Sequence, residues 1–147
     1  MRDGRRAGRD LGERGSVAVE IALLAPALVL VLGLLVAGGR LWFARTTVLE
    51  AALTSARAAS LARSAGEAAA AGDEAGRQSM ATAGLRCSTS SVSVTTAAFA
   101  VPVGTPATVT SDVSCSVPFA DVLLPGMPGT IALSGHGSAA LDTYRAR

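Results

Sequence analysis

The chain is 147 residues long, enough for one domain and hardly two. Half of it is hydrophobic, only 16% is charged, and the mean hydropathy is +0.44, which argues against an ordinary water-soluble globule. All 13 basic residues are arginine, so lysine chemistry is excluded, and a single histidine, His136, excludes a multi-histidine metal site. A net charge of +2 is too small to argue for nucleic-acid binding.

Residues 1–15 form a basic leader with five arginines against three carboxylates. Gly4, Gly8, Gly12 and Gly15 interrupt it, so it is expected to be disordered. Residues 17–39 then read VAVEIALLAPALVLVLGLLVAGG, 23 residues with one charge, Glu20. As a helix this run spans about 34 Å, enough for a hydrocarbon core of about 30 Å. The segment 16–39 is therefore read as a transmembrane helix. The arginine-rich start places the N-terminus in the cytoplasm and the bulk of the chain outside. The alternative is a cleaved secretory signal, whose apolar run is shorter, about 7–15 residues. Ala25-Pro26-Ala27 has the small-x-small pattern of a signal cleavage site, but it lies inside the apolar run.

The junction Arg14-Gly15-Ser16-Val17-Ala18-Val19-Glu20 puts a glycine at the polar–apolar boundary and a glutamate five residues later. Ser16 and Glu20 are four residues apart, on one face of a helix. A carboxylate within a bilayer costs about 2.5–3.5 kcal/mol on insertion scales, which a cationic partner would offset. The plainer reading is that Glu20 only marks the helix start, where the helix dipole favours it by about 0.3–1 kcal/mol.

This junction resembles the class III leader of type IV pilin-like proteins. The run from Gly15 to Ala62 is similar to the TadE-like family, the pseudopilins of tight-adherence (Flp-type) pilus systems. The likeness is carried by Val19-Glu20, by Pro26 six residues on, and by Gly39-Arg40 closing the span. It continues in an alanine-rich helix with Ala51-Ala52 and Ser55-Ala56-Arg57-Ala58-Ala59. The resemblance implies that a prepilin peptidase cuts after Gly15 and that Ser16 becomes the new N-terminus. It implies that Glu20 then pairs with the terminal amine of a neighbouring subunit.

Residues 40–84 hold 15 alanines in 45 positions and read as helix. The helix is expected to continue from the span to about residue 71 and to end at Gly72. Asp73 then looks like the cap of a second helix near 74–84. The composition changes at Arg86: from there to Pro118, 20 of 33 residues are Ser, Thr or Val, which is strand chemistry. One strand alternates around Val92 and Val94, and another around Val109, Val113, Cys115 and Val117. Pro102, Gly104 and Pro106 mark the turn between them. A loop covers Pro118 to Gly129. A third strand is expected from Thr130 to about Ser134, broken at Gly135-His136-Gly137 and resumed near 138–144. The expected fold is α+β, a transmembrane helix running into a long alanine-rich helix packed on a small antiparallel sheet of about three strands. The organisation is a leader (1–15), a span (16–39), a helical region (40–84) and an exported β-rich domain (85–147).

Cys87 and Cys115 fall on the exported side, where disulfides persist. A hairpin centred near residue 103 brings them within a few residues of facing each other. The strand parity requires a bulge or a connector position for Cys87. Two buried free thiols are the alternative. His136 lies between two glycines with no G-x-S-x-G nucleophile elbow anywhere, and reads as structural or solvent-exposed. No enzyme, cofactor, metal, nucleic acid or small-molecule substrate is expected. The expected function is that of a minor pilin or pseudopilin, matured by a prepilin peptidase and contacting other pilin subunits through its N-terminal helix. It would sit in the inner (cytoplasmic) membrane, or in the extracellular pilus after processing. The alternative is an unprocessed, signal-anchored envelope protein whose exported domain is a binding module.

Overall fold

The computed structural model describes residues 7–122 and 126–144, with side chains from Val19 onward. The element order is α1 (Ala7–Ser60), α2 (Ala65–Thr82), β1 (Thr89–Thr95), a short 3-10 helix (Ala97–Ala100), β2 (Ala107–Pro118), α3 (Phe119–Val122) and β3 (Thr130–Leu141). The fold is α+β, with an antiparallel sheet in the order β1-β2-β3. Contacts divide the chain into two units, Met1–Gly38 and Gly39–Arg147.

The described residues of the first unit all belong to α1. The expectation of a disordered leader is not met over its described part, because α1 begins at Ala7. Each glycine costs a helix about 1 kcal/mol. Against that, the sequence sets Arg9 and Glu13, and Asp10 and Arg14, four residues apart with opposite charges.

In the second unit both helices cover one face of the sheet. Alternation puts Val109, Ser111, Val113, Cys115 and Val117 of β2 on the covered face, together with Leu133, Gly135, Gly137 and Leu141 of β3. Against them α1 buries Ala44, Thr47, Val48, Ala51, Ala52, Ser55, Ala56 and Ala59. These recur at three- and four-residue spacing, one stripe of a helix. Most are alanine, so the helix backbone comes close to the sheet. The glycines of β3 permit this. A Cβ on Gly135 would stand 2.6 Å from the Val48 carbonyl oxygen, and one on Gly137 would collide with the Ala52 carbonyl. The expected break at Gly135-His136-Gly137 is therefore corrected: β3 is continuous, and its glycines mark a close backbone approach.

The helical boundary is corrected as well. α1 ends at Ser60 rather than near 71, and Gly72 and Asp73 lie inside α2. Ser64, in extended backbone, accepts a hydrogen bond from the Glu67 N–H at 3.3 Å. The Glu67 carboxylate in turn accepts from the Arg63 N–H at 3.1 Å. Ser64 thus caps α2, and Glu67 reaches back one residue past the position a capping box would use. Asp73 is not a cap; its carboxylate holds Arg77 one turn on and raises the guanidinium pKa. Gly72 and Gly76 lie where α2 meets β1, within reach of Val94 and Val92. The C-terminus of α2 closes on Gly84, with φ +72, where Leu85 N–H donates to the Met80 carbonyl and Gly84 N–H to that of Ala81. This is a Schellman motif.

Candidate functional site

The candidate site is the head of the apolar helix. Gly15, Ser16 and Glu20 all fall within α1. The side chain of Ser16 lies outside the described ones; Glu20 is exposed. Among the described residues no hydrogen bond or ion pair is formed by Glu20. At Gly15 the backbone is helical.

Beyond Glu20 the helix is apolar on every side. Ile21, Leu23, Leu24, Leu28, Leu30 and Leu34 are all exposed. Among the described residues one helix is long and apolar enough to cross a membrane. Its mean hydropathy reaches 2.7, and none of that stretch is buried. A helix hydrophobic all round needs a lipid or protein surround. The face around Gly33 is likewise open: a Cβ added there would meet no atom within 4 Å.

This stretch is where the chain resembles known proteins. Residues 15–57 match the TadE-like protein family. The TadE-like segment starts at Gly15, takes in Glu20, Pro26 and Gly39-Arg40, and ends at Arg57, three residues before α1 does. It thus covers both the exposed apolar run and most of the α1 face that packs on the sheet. α2 and the three strands lie outside it. No curated protein and no solved structure matches the chain.

The two cysteines outside the TadE-like segment are bonded to each other, Cys87 to Cys115, with Cα atoms 5.4 Å apart. The ladder pairs Cys115 with Ser90, and Cys87 lies in the connector before β1. Of the bulge or connector position that the strand parity required, Cys87 takes the connector. Ser88 N–H then donates to the Ser116 carbonyl at 2.8 Å, which starts the ladder directly after the bond.

The uncovered face of the sheet is polar. Ser91 and Ser114 are hydroxyl to hydroxyl at 2.8 Å, and His136 Nδ1 stands 2.9 Å from Asp112 Oδ1. Asp112 and His136 are ladder partners across β2 and β3. Both side chains are exposed, 64% and 62%, so the pair is a surface contact. Sequence reasoning missed it because β3 was expected to break at His136. A continuous third strand paired with β2 would have brought the two together. Among the described residues no three His, Cys, Asp or Glu side chains converge as a metal site.

Proposed function

We propose that this chain is a minor pilin or pseudopilin of a Tad (Flp-type) pilus. A prepilin peptidase cuts it after Gly15, leaving Ser16 as the N-terminus and Glu20 as the fifth mature residue. The observation that carries this reading is the TadE-like match, which begins at Gly15 and runs along a helix apolar on all sides with Glu20 at its head. The N-terminus lies in the cytoplasm and the Gly39–Arg147 unit outside. The mature helix then packs with those of other subunits, and Glu20 compensates the Ser16 amine of a neighbour. In this reading the chain catalyses nothing and its chemistry is helix packing.

The helical backbone at Gly15 adds a requirement. A peptidase must unwind the helix there, and glycine is the weakest helix former after proline. Intact-mass analysis of the chain from its native membrane and pilus fractions tests the reading. The expected mass lacks the 15-residue leader. A full-length mass in both fractions would instead favour an anchored envelope protein. The polar outer sheet face, with Ser91, Ser114, Asp112 and His136, would then be its candidate binding surface.

A further inference from the structure

The exposed Asp112 and His136 side chains project from a firmly held part of the sheet. Asp112 lies between Ser111 and Val113, both fully buried on the covered face. His136 lies between Gly135 and Gly137, which meet the α1 backbone at Val48 and Ala52. Those contacts advance together along the helix and the strand, so α1 and β3 run in the same direction. The Ser111 hydroxyl is also bonded to that of Ser55 on α1. Asp112 and His136 are partners in a ladder that runs one to one from Ala107↔Leu141 to Pro118↔Thr130. Packing on the covered face thus fixes the main chain beneath both side chains, and their ends meet on the uncovered face.

His136 Nδ1 and Asp112 Oδ1 stand 2.9 Å apart. Imidazole nitrogen and carboxylate oxygen bind zinc and similar first-row ions at about 2.0–2.2 Å. Two donors at 2.9 Å, each about 2.05 Å from an ion, subtend about 90° at it. That is the angle between neighbouring ligands in tetragonal or octahedral coordination. A tetrahedral ion would want the two donors about 3.3 Å apart. One nitrogen and one oxygen at a right angle suit copper(II) best and nickel(II) next, by geometry and by the general order of affinities. The pair opens into a cleft of about 300 Å³ that Ser91, Ser93, Ser114 and Ser134 also line. Their hydroxyls can hydrogen-bond waters that complete the shell of an ion. The two side chains are exposed, so an ion enters directly from solvent.

We propose that Asp112 and His136 form a two-residue chelate for a tetragonal divalent metal ion, copper(II) foremost, on the outer face of the sheet. His136 binds through Nδ1 and Asp112 through Oδ1, and water fills the remaining positions. The imidazole carries its proton on Nε2 in the complex, the ion stays divalent, and no electron moves. With two protein ligands the site is open, so a donor from another molecule can replace a water. Neither residue lies in the TadE-like segment, and the site does not depend on the pilin reading.

His136 is the one histidine of the chain, so an imidazole signal can come from nowhere else. The full chain in detergent, free of any histidine tag, is titrated with copper(II) and read by electron paramagnetic resonance. Electron spin-echo modulation detects the remote nitrogen of a bound imidazole and is blind to a terminal amine. The expected result is a single copper held through one imidazole. Asp112→Asn should weaken binding by about tenfold or more, because the second donor of the chelate is lost. His136→Ala should abolish the modulation. Both side chains are exposed, so the variants keep the fold. Equal affinity in Asp112→Asn overturns the chelate, since the histidine would then act alone. An unchanged copper spectrum in His136→Ala overturns the site, by placing the ion on the chain terminus or on other carboxylates. Zinc(II) that displaces copper(II) at equal concentration overturns the right-angled geometry.

Discussion

Ser55 and Ser111 are joined hydroxyl to hydroxyl at 2.8 Å, and both side chains are fully buried. Ser55 also lies against Gly72 and Gly76, so it marks the point where α1, α2 and the sheet meet. A polar pair at the centre of an otherwise apolar contact has an asymmetric effect. Satisfied, it contributes modestly; with one partner removed, the other is left buried and unpaired.

The first prediction follows from that asymmetry. Ser55→Ala should destabilise the chain by about 1–3 kcal/mol, and Ser111→Ala by a similar amount. The double variant should cost clearly less than the sum of the two. Denaturant unfolding of the full chain in detergent, run as a double-mutant cycle, measures this. Additive costs would mean that the two hydroxyls act independently.

Gly137→Ala should be the most disruptive small substitution in the sheet. Its new Cβ would meet the Ala52 carbonyl, which is helix backbone and cannot swing away. A loss of about 3 kcal/mol or more is expected. Gly66→Ala is the control: it lies in the first turn of α2 with open space around it, so it should stabilise by up to about 1 kcal/mol. Thermal unfolding of the two variants side by side separates packing from helix propensity. Equal melting temperatures would contradict the close approach.

Reducing Cys87–Cys115, or replacing both cysteines with serine, should cost roughly 3–4 kcal/mol, the closure entropy of a loop with a separation of 28 residues. Alkylation of the native protein without reductant should add no label. Two labels would show that the thiols are free in the cell.

Glu20→Ala should leave cleavage after Gly15 largely intact and stop incorporation into the pilus. Removing the carboxylate eases insertion into the bilayer, so the chain still reaches the peptidase. On the proposed pilin reading the loss is the charge that compensates a Ser16 amine among packed helices, and an uncompensated buried charge costs several kcal/mol. If Glu20 served only as a helix start, its removal would cost under about 1 kcal/mol and assembly would survive. Comparing sheared-pilus and membrane fractions from the native host decides between the two.

The features that were legible in advance are those written in composition and period. The apolar run, the Ser/Thr/Val alternation and the sheet of three strands needed only local patterns. The cysteine pairing needed one turn position. The misread features all involve glycine. Gly72 looked like a helix end and Gly135 and Gly137 like a strand break, because glycine weakens both elements locally. Each is instead a site where another backbone or a valine comes close, which depends on the tertiary partner. The true helix break was visible in Ser64-Ala65-Gly66-Glu67, but a run of alanines on both sides hid it. At the candidate site, Gly15 and Glu20 stood out by spacing against the apolar run. The Asp112–His136 pair did not, since it depends on strand register across 24 residues.

The parallel course of α1 and β3 has a mechanical consequence. A force drawn along the Ala44–Ala59 stretch slides the helix lengthwise over the strand and does not peel it away. All of the contact then resists at once, whereas peeling would break it one side chain at a time. The single described disulfide joins a connector to β2, so no covalent bridge takes any of this load. Resistance to sliding rests on Val48, Ala51, Ala52 and Ser55 catching against Val113, Cys115 and Ser111. A chain held by this stretch of α1 and tugged by its sheet would therefore fail by shear, at a force set by small side chains.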